Sequence, residues 1–199
     1  MKPRAQGVGY GMGVGWLLVL LGAQPAAAAP CHVPSSNYPT IQAAVNDATC
    51  DAINVAAGTF TEHVTIDRDV TMRGEGEDRT IVDGSSSGTV VTITSGTVTI
   101  KGVTIQNGSA AAPLGGGGIR NDGTLTIQDS TISSNRTGGP RASGGGIVNI
   151  GTLTIQDSTI SGNFAFRGGG GISTTGTLTI QDSTIENNIP NDCTGTGCP

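Results

Sequence analysis

Aromatic residues are almost absent from this 199-residue chain, which has one tryptophan, two tyrosines and three phenylalanines. That scarcity excludes a core built on rings, so the apolar interior must be aliphatic. Charged residues make up only 13%, and basic residues are outnumbered ten to fifteen. The chain therefore lacks the cationic surface that a nucleic-acid partner requires. Only two histidines occur, His32 and His63, and neither stands at metal-ligand spacing from the four cysteines. The longest apolar run, residues 14–21, is too short and too broken by glycine to cross ~30 Å of hydrocarbon.

That run has a different meaning. Lys2 and Arg4 precede it, and it ends in Pro25 and a stretch of alanines, the pattern of a secretory signal peptide with cleavage expected after Ala28. The expected product is secreted or displayed at the cell surface, with no membrane-spanning segment. Removing residues 1–28 takes away two basic residues and no acid, leaving eight against fifteen and a formal charge of −7. In an oxidising compartment four cysteines imply disulfides. Three pairings are available, and the expected one joins Cys31 to Cys50 across the N-terminal segment and Cys193 to Cys198 within the tail.

What the chain has in quantity is a repeat. GTLTIQDSTI begins at Gly123, Gly151 and Gly176, each copy preceded by a glycine run and an isoleucine and followed by an asparagine, Asn135, Asn163 or Asn188. Degenerate copies lie upstream, at SGTVTIKGVTIQNG from Ser95 and DVTMRG from Asp69. Inside each copy the apolar residues alternate with threonine at period two, which places Leu125, Leu153 and Leu178 in one inward column and the threonines outside. Units of about 25 to 28 residues that cannot close a core alone must stack. The expected fold is all-β, a single-stranded parallel β-helix of about five coils over residues 53–190. In front, the segment 29–52 carries TIQAAVNDA from Thr40, read as a short capping helix with Thr40 as N-cap. A cysteine tail, 191–199, follows. The far end has less cover and is the expected place for end-to-end self-association.

From Tyr38 to Gly84 the stretch YPTIQAAVNDATCDAINVAAGTFTEHVTIDRDVTMRGEGEDRTIVDG resembles the opening of pectin-lyase-like β-helix proteins. The GGGI and GTLTIQDSTIS array is similar to repeats of bacterial exported and surface chains of the polymorphic-outer-membrane type. The resemblance implies a right-handed β-helix and admits a polysaccharide lyase or glycoside hydrolase acting on uronic-acid polymers, but such folds carry many functions. The motifs that would accompany those activities are missing. There is no Gly-His-Gly, and the paired carboxylates lie far from either histidine.

Asp129, Asp157 and Asp182 recur at one corner, about 5 Å apart per coil. Such a stack is either bridged by a cation such as calcium or, as favoured here, made of residues that each cap their own corner through the backbone two residues on. Otherwise no cofactor is expected. The asparagines are read as a structural ladder, because an amide cannot ionise. If Ile119, Ile147 and Ile172 point inward, the glycines before them form a bare outward strip. It is bordered by the variable segments 108–114, 136–143 and 164–167, which hold Arg136, Arg141, Phe164, Phe166 and Arg167, with Arg120 just beyond. Arginines beside a trough suit bidentate capture of carboxylates on an acidic polysaccharide, and the phenylalanines suit stacking on sugar rings. The leading expectation is thus a non-catalytic module binding an extracellular polysaccharide or surface component. A minor alternative is ice binding by the Thr124/Thr126, Thr152/Thr154 and Thr177/Thr179 ranks, with Thr97/Thr99 in line.

Overall fold

The computed structural model describes residues 29–111 and 115–199; the signal peptide expected at 1–28 and the last three residues of the 108–114 segment lie outside the described residues. β1 (Cys31–Val33) and α1 (Ile41–Val45) come first. Six strand triplets follow. They begin with β2 (Ala52–Val55), β3 (Gly58–Thr61) and β4 (Val64–Ile66), then β5 (Val70–Arg73), β6 (Thr80–Ser87) and β7 (Val91–Ile93). The third is β8 (Thr97–Lys101), β9 (Thr104–Ala111) and β10 (Ile119–Asn121). In the fourth, β11 (Thr124–Gln128) and β12 (Thr131–Ser133) are followed by a side strand, β13 (Arg136–Gly138), before β14 (Ile147–Asn149). The fifth is β15 (Thr152–Gln156), β16 (Thr159–Ser161) and β17 (Ile172–Thr174), and the last is β18 (Thr177–Gln181), β19 (Thr184–Glu186) and β20 (Cys193–Gly195).

First members of the triplets stack into sheet I behind β1, second members into sheet II and third members into sheet III, all in parallel pairing. This is the expected right-handed parallel solenoid, with one triplet more than the repeat count, because β2 to β4 carry no copy of the motif. The cysteine tail also belongs to the coil system, since β20 pairs with β17 and completes sheet III. Along sheet I, Ile53, Met72, Ile100, Ile127, Ile155 and Ile180 are direct partners, at successive separations of 19, 28, 27, 28 and 25 residues. Coil length varies while register does not. The reason is that alternation pins each strand's apolar face inward, and slack is taken up in the corners.

The helix is shorter than the motif suggested. Thr40 caps it through Ala43 N, and Ile41, Ala44 and Val45 are buried, but Ala48 is exposed beyond the end. Asp47 stops it by accepting from both the amide and the hydroxyl of Thr49, a local turn that competes with continued helix and delivers Cys50 to Cys31. α1 packs on β1, β2 and β4, closing one end of the solenoid. Two side chains from the next coil hold it there. Glu62 accepts from the free amides of Ile41 and Gln42 at 3.0 and 3.1 Å, and Arg68 donates to the carbonyls of Val45, Asp47 and Cys50 at 2.7 to 2.9 Å. Both expected disulfides are formed, Cys31 to Cys50 and Cys193 to Cys198.

Candidate functional site

Excursions from the coil are concentrated at the corner between sheets II and III, and buried asparagines make them tolerable. Asn163 donates its amide to Ile132 O at 2.9 Å and to Asn188 Oδ1 at 2.9 Å, and its own Oδ1 accepts from the amide nitrogen and side chain of Asn135. The ladder begins where Gly108 N donates to Asn135 Oδ1 and ends on a carboxylate, with Asn188 donating to Asp192 Oδ1 through N and Nδ2. The ladder satisfies the backbone amides of Gly108, Asn135, Asn163 and Asn188 from within, so the chain can leave at this corner and return in register.

The glycines on the return path are not a bare outward strip. Gly115 to Gly118, Gly144 to Gly146 and Gly169 to Gly171 are all buried. A Cβ on Gly117 would overlap the carbonyls of Arg136 and Gly145, one on Gly145 those of Phe164 and Gly170, and one on Gly170 that of Ile189. Outgoing and returning backbone of one coil thus press on the glycine of the coil before it. Glycine is needed for close approach inside the neck of each loop, and Gly116, Gly144 and Gly169, with φ near +70°, turn the chain out of simple alternation. The expected trough is filled.

What faces solvent instead is a ridge made by the loops. Arg136 pairs with Ser109 in β9, Phe164 bridges to Arg136, and Ile189 bridges to Phe164, so one position of each successive loop lies in a row along the solenoid axis. Phe164, Phe166 and Ile189 are 44%, 60% and 59% exposed, an unusual degree for large apolar groups. Arg136 steadies the row with Nε on Ser109 Oγ at 3.0 Å. Arg167 N donates to Ala142 O at 2.9 Å, which lays Arg167 against the loop that carries Arg141, and both guanidinium groups are exposed with no carboxylate partner among the described residues. Beneath the ridge, Thr137 is buried and its hydroxyl has no hydrogen-bond partner. Arg120 is not part of this group. It stands on sheet III, and its Nε and Nη2 are both taken by Asp122 Oδ2 at 3.1 Å.

Asp129, Asp157 and Asp182 occupy the corner between sheets I and II, each exposed and each at φ between +45° and +48°. Their role there is to turn the chain through the left-handed region, which aspartate tolerates better than most residues. The capping assigned to them falls to the serines that follow. Ser130, Ser158 and Ser183 donate to the carbonyls of Gln128, Gln156 and Gln181 at 2.6 Å and accept from the amides of Val103, Ser130 and Ser158 one coil earlier. Asp129 is drawn to Lys101 at 2.8 Å. Among the described residues no three His, Cys, Asp or Glu side chains are arranged to hold a metal ion.

Two further ladders had a signal in the sequence that period-two reading passes over. Gln128, Gln156 and Gln181 hand their amides along the outside of sheet I at 2.6 and 2.7 Å, and Asn121, Asn149 and Thr174 do the same inside the corner leading out of sheet III. Recurrence of glutamine at the repeat period is the clue to the first, and of asparagine in two of three copies to the second.

Two carboxyls among the described residues, Asp83 and Asp47, are displaced below the ordinary range. Burial pushes the Asp83 carboxyl up, but hydrogen bonds from Gln106, the Ser85 amide and Asn107 outweigh it and hold the group below the ordinary range. Asp47 is also held low, first by the Thr49 hydroxyl, and the same carboxylate raises its neighbour Tyr38 through their hydrogen bond. An acid that protonates a glycosidic oxygen needs the opposite displacement. His63 is spent on structure, with its ring nitrogens 2.8 Å from Thr89 O and 3.1 Å from Ser87 Oγ.

Stacked triplets, three parallel sheets and amide ladders at the corners define a β-solenoid repeat protein with a loop ridge along one edge. The chain belongs to the right-handed β-helix family, whose model matches residues 62–198. No curated protein and no solved structure matches it.

Proposed function

We propose that this protein is an exported, non-catalytic β-helix module that binds an acidic polysaccharide or a similar surface component along the loop ridge. The observation that carries this reading is the row of exposed Arg136, Phe164 and Ile189, flanked by Phe166 and the exposed Arg141 and Arg167 on abutting loops. Guanidinium groups take carboxylates in bidentate fashion, and the open faces of the phenylalanines suit the apolar faces of sugar rings. Affinity electrophoresis in polygalacturonate gels compares the wild type with Arg136→Ala/Arg141→Ala/Arg167→Ala. Retardation of the wild type and free migration of the variant are expected, and equal migration refutes the reading. Release of unsaturated products or reducing ends from the same polymer would instead establish a lyase or hydrolase.

A second reading has its own support. Thr97, Thr124, Thr152 and Thr177 are register partners on sheet I, as are Thr99, Thr126, Thr154 and Thr179, giving two in-line hydroxyl columns of the kind that could order water. Thermal hysteresis in the wild type, lost in Thr126→Val/Thr154→Lys, is the outcome that would favour ice binding.

A further inference from the structure

On the outside of sheet I the strand register builds a column of hydrogen-bonding side chains: His32, Asn54, Arg73, Lys101, Gln128, Gln156 and Gln181. Nearly every member beyond Arg73 is already engaged. Lys101 is matched by Asp129, and the three glutamines bond one another. Glu75, just past Arg73, is held by Arg79 at 2.8 Å. Arg73, like Arg141 and Arg167 on the ridge, has no acidic partner among the described residues.

This unmatched cation stands in a cleft of about 400 Å³ lined by His32, Pro34, Asn54, Ala56, Arg73 and Glu75 among others. One wall is β1, fixed to β2 by its pairing and by the Cys31 to Cys50 disulfide. The opposite wall is the excursion between β5 and β6, kept in shape by Glu75 N on Thr80 Oγ1 and by Arg79 N on Gly76 O. The intervening corner is Val55 and Ala56, with no projecting carboxylate such as later coils carry at Asp129, Asp157 and Asp182. A second depression, of about 310 Å³, shares Asn54 and Arg73 and continues over Thr71.

We infer that this cleft binds a small carboxylate-bearing ligand, with Arg73 taking the carboxylate and Asn54 the adjoining hydrogen-bonding group. A planar guanidinium with five donors and no acidic partner among the described residues matches two carboxylate oxygens, and the Asn54 amide one strand away supplies a donor and an acceptor. Volumes of this size are those of small-molecule sites. Glu75 lines the cleft and Thr71 the adjoining depression, where a hydroxylated ligand would meet an acceptor and a donor. The site is on a different face from the loop ridge and does not depend on it.

The chemistry is shared by acidic sugars and simple hydroxy acids, and the test separates them. Glucuronate, lactate and, as a neutral control, glucose are each titrated into ¹⁵N-labelled protein, and the Asn54 side-chain amide and Arg73 Nε resonances are followed. Saturable shifts with a carboxylate and none with glucose are expected. Tighter binding of glucuronate than lactate identifies the sugar ring as part of the ligand, and equal binding assigns recognition to the carboxylate alone. Arg73→Gln should weaken binding about tenfold or more and Arg73→Lys by less, because lysine keeps the charge but loses the fork. Arg136→Ala/Arg141→Ala/Arg167→Ala should bind as the wild type does. Absence of a saturable shift with either acid, or unaltered binding by Arg73→Gln, overturns the inference.

Discussion

The same nine residues, TLTIQDSTI, have two different environments at the two places where they last occur. In the fifth coil Leu153, Ile155 and Ile160 are fully buried, whereas in the sixth Leu178, Ile180 and Ile185 are only partly covered. At the opposite end the first coil has Ile53 and Val55 as deeply buried as the centre, under α1 and β1. Burial in a solenoid is thus a property of the neighbouring layer and not of the residue. The cap of one end is a built device, with Thr40, Glu62, Arg68 and a disulfide devoted to it, while the other end has a short tail folded beside it.

The contrast is broken most severely in the core columns. Ile155→Ala should cost about 4 kcal/mol and Ile180→Ala about 1 kcal/mol, because only the first leaves a closed cavity. Urea unfolding checks this, and equal costs would mean that the last coil is covered in solution. Next come the disulfides. Replacing both Cys31 and Cys50 by alanine opens a link of sequence separation 19, and replacing Cys193 and Cys198 one of separation 5. Chain entropy then predicts losses of about 3 and about 2 kcal/mol. Hydrogen exchange should show β1 released in the first variant, with sheet III disturbed only at β20 in the second.

The smallest effect is on pH dependence in the capped half. Because the folded Asp83 carboxyl is held lower than in the unfolded chain, its contribution is complete above the ordinary carboxyl value of about 4 and disappears as pH falls through the lower folded value. Unfolding midpoints measured from neutral pH into acid should therefore decline, and Asp83→Asn should make that decline shallower.

Much of this architecture could be read from the chain because it rests on local alternation repeated at a fixed period. Columns of Leu125, Leu153 and Ile127, Ile155 and the Asn135 to Asn188 ladder need only that coils stack, and the two disulfides join cysteines near in sequence within each terminal segment. Strict alternation makes the glycines an outward strip, but the positive φ of Gly116, Gly144 and Gly169 breaks it, and the carbonyls of Arg136, Phe164 and Ile189 that cover them come from the adjoining coil. Proximity in sequence places Arg120 beside the variable loops, whereas it stands on sheet III and bonds Asp122 two residues away. The Arg73 cleft leaves no trace in the repeat at all. It exists because β1 docks on β2 and the coil beyond makes an excursion at 74–80, two long-range events in the least repetitive part of the chain.

Identical layers bring an ambiguity of their own. Sliding one copy of TLTIQDSTI past another by a whole coil would re-form the same strand pairings and the same rows of side chains, so the repeats cannot by themselves count their own order. The unlike ends of the ladders do that counting. Lys101 ends the glutamine column and meets Asp129, and Asp192 receives the last asparagine, each fitting only one layer. Those two charged residues act as bookends, making a periodic array a sequence of distinguishable places, with each loop of the ridge assigned its position.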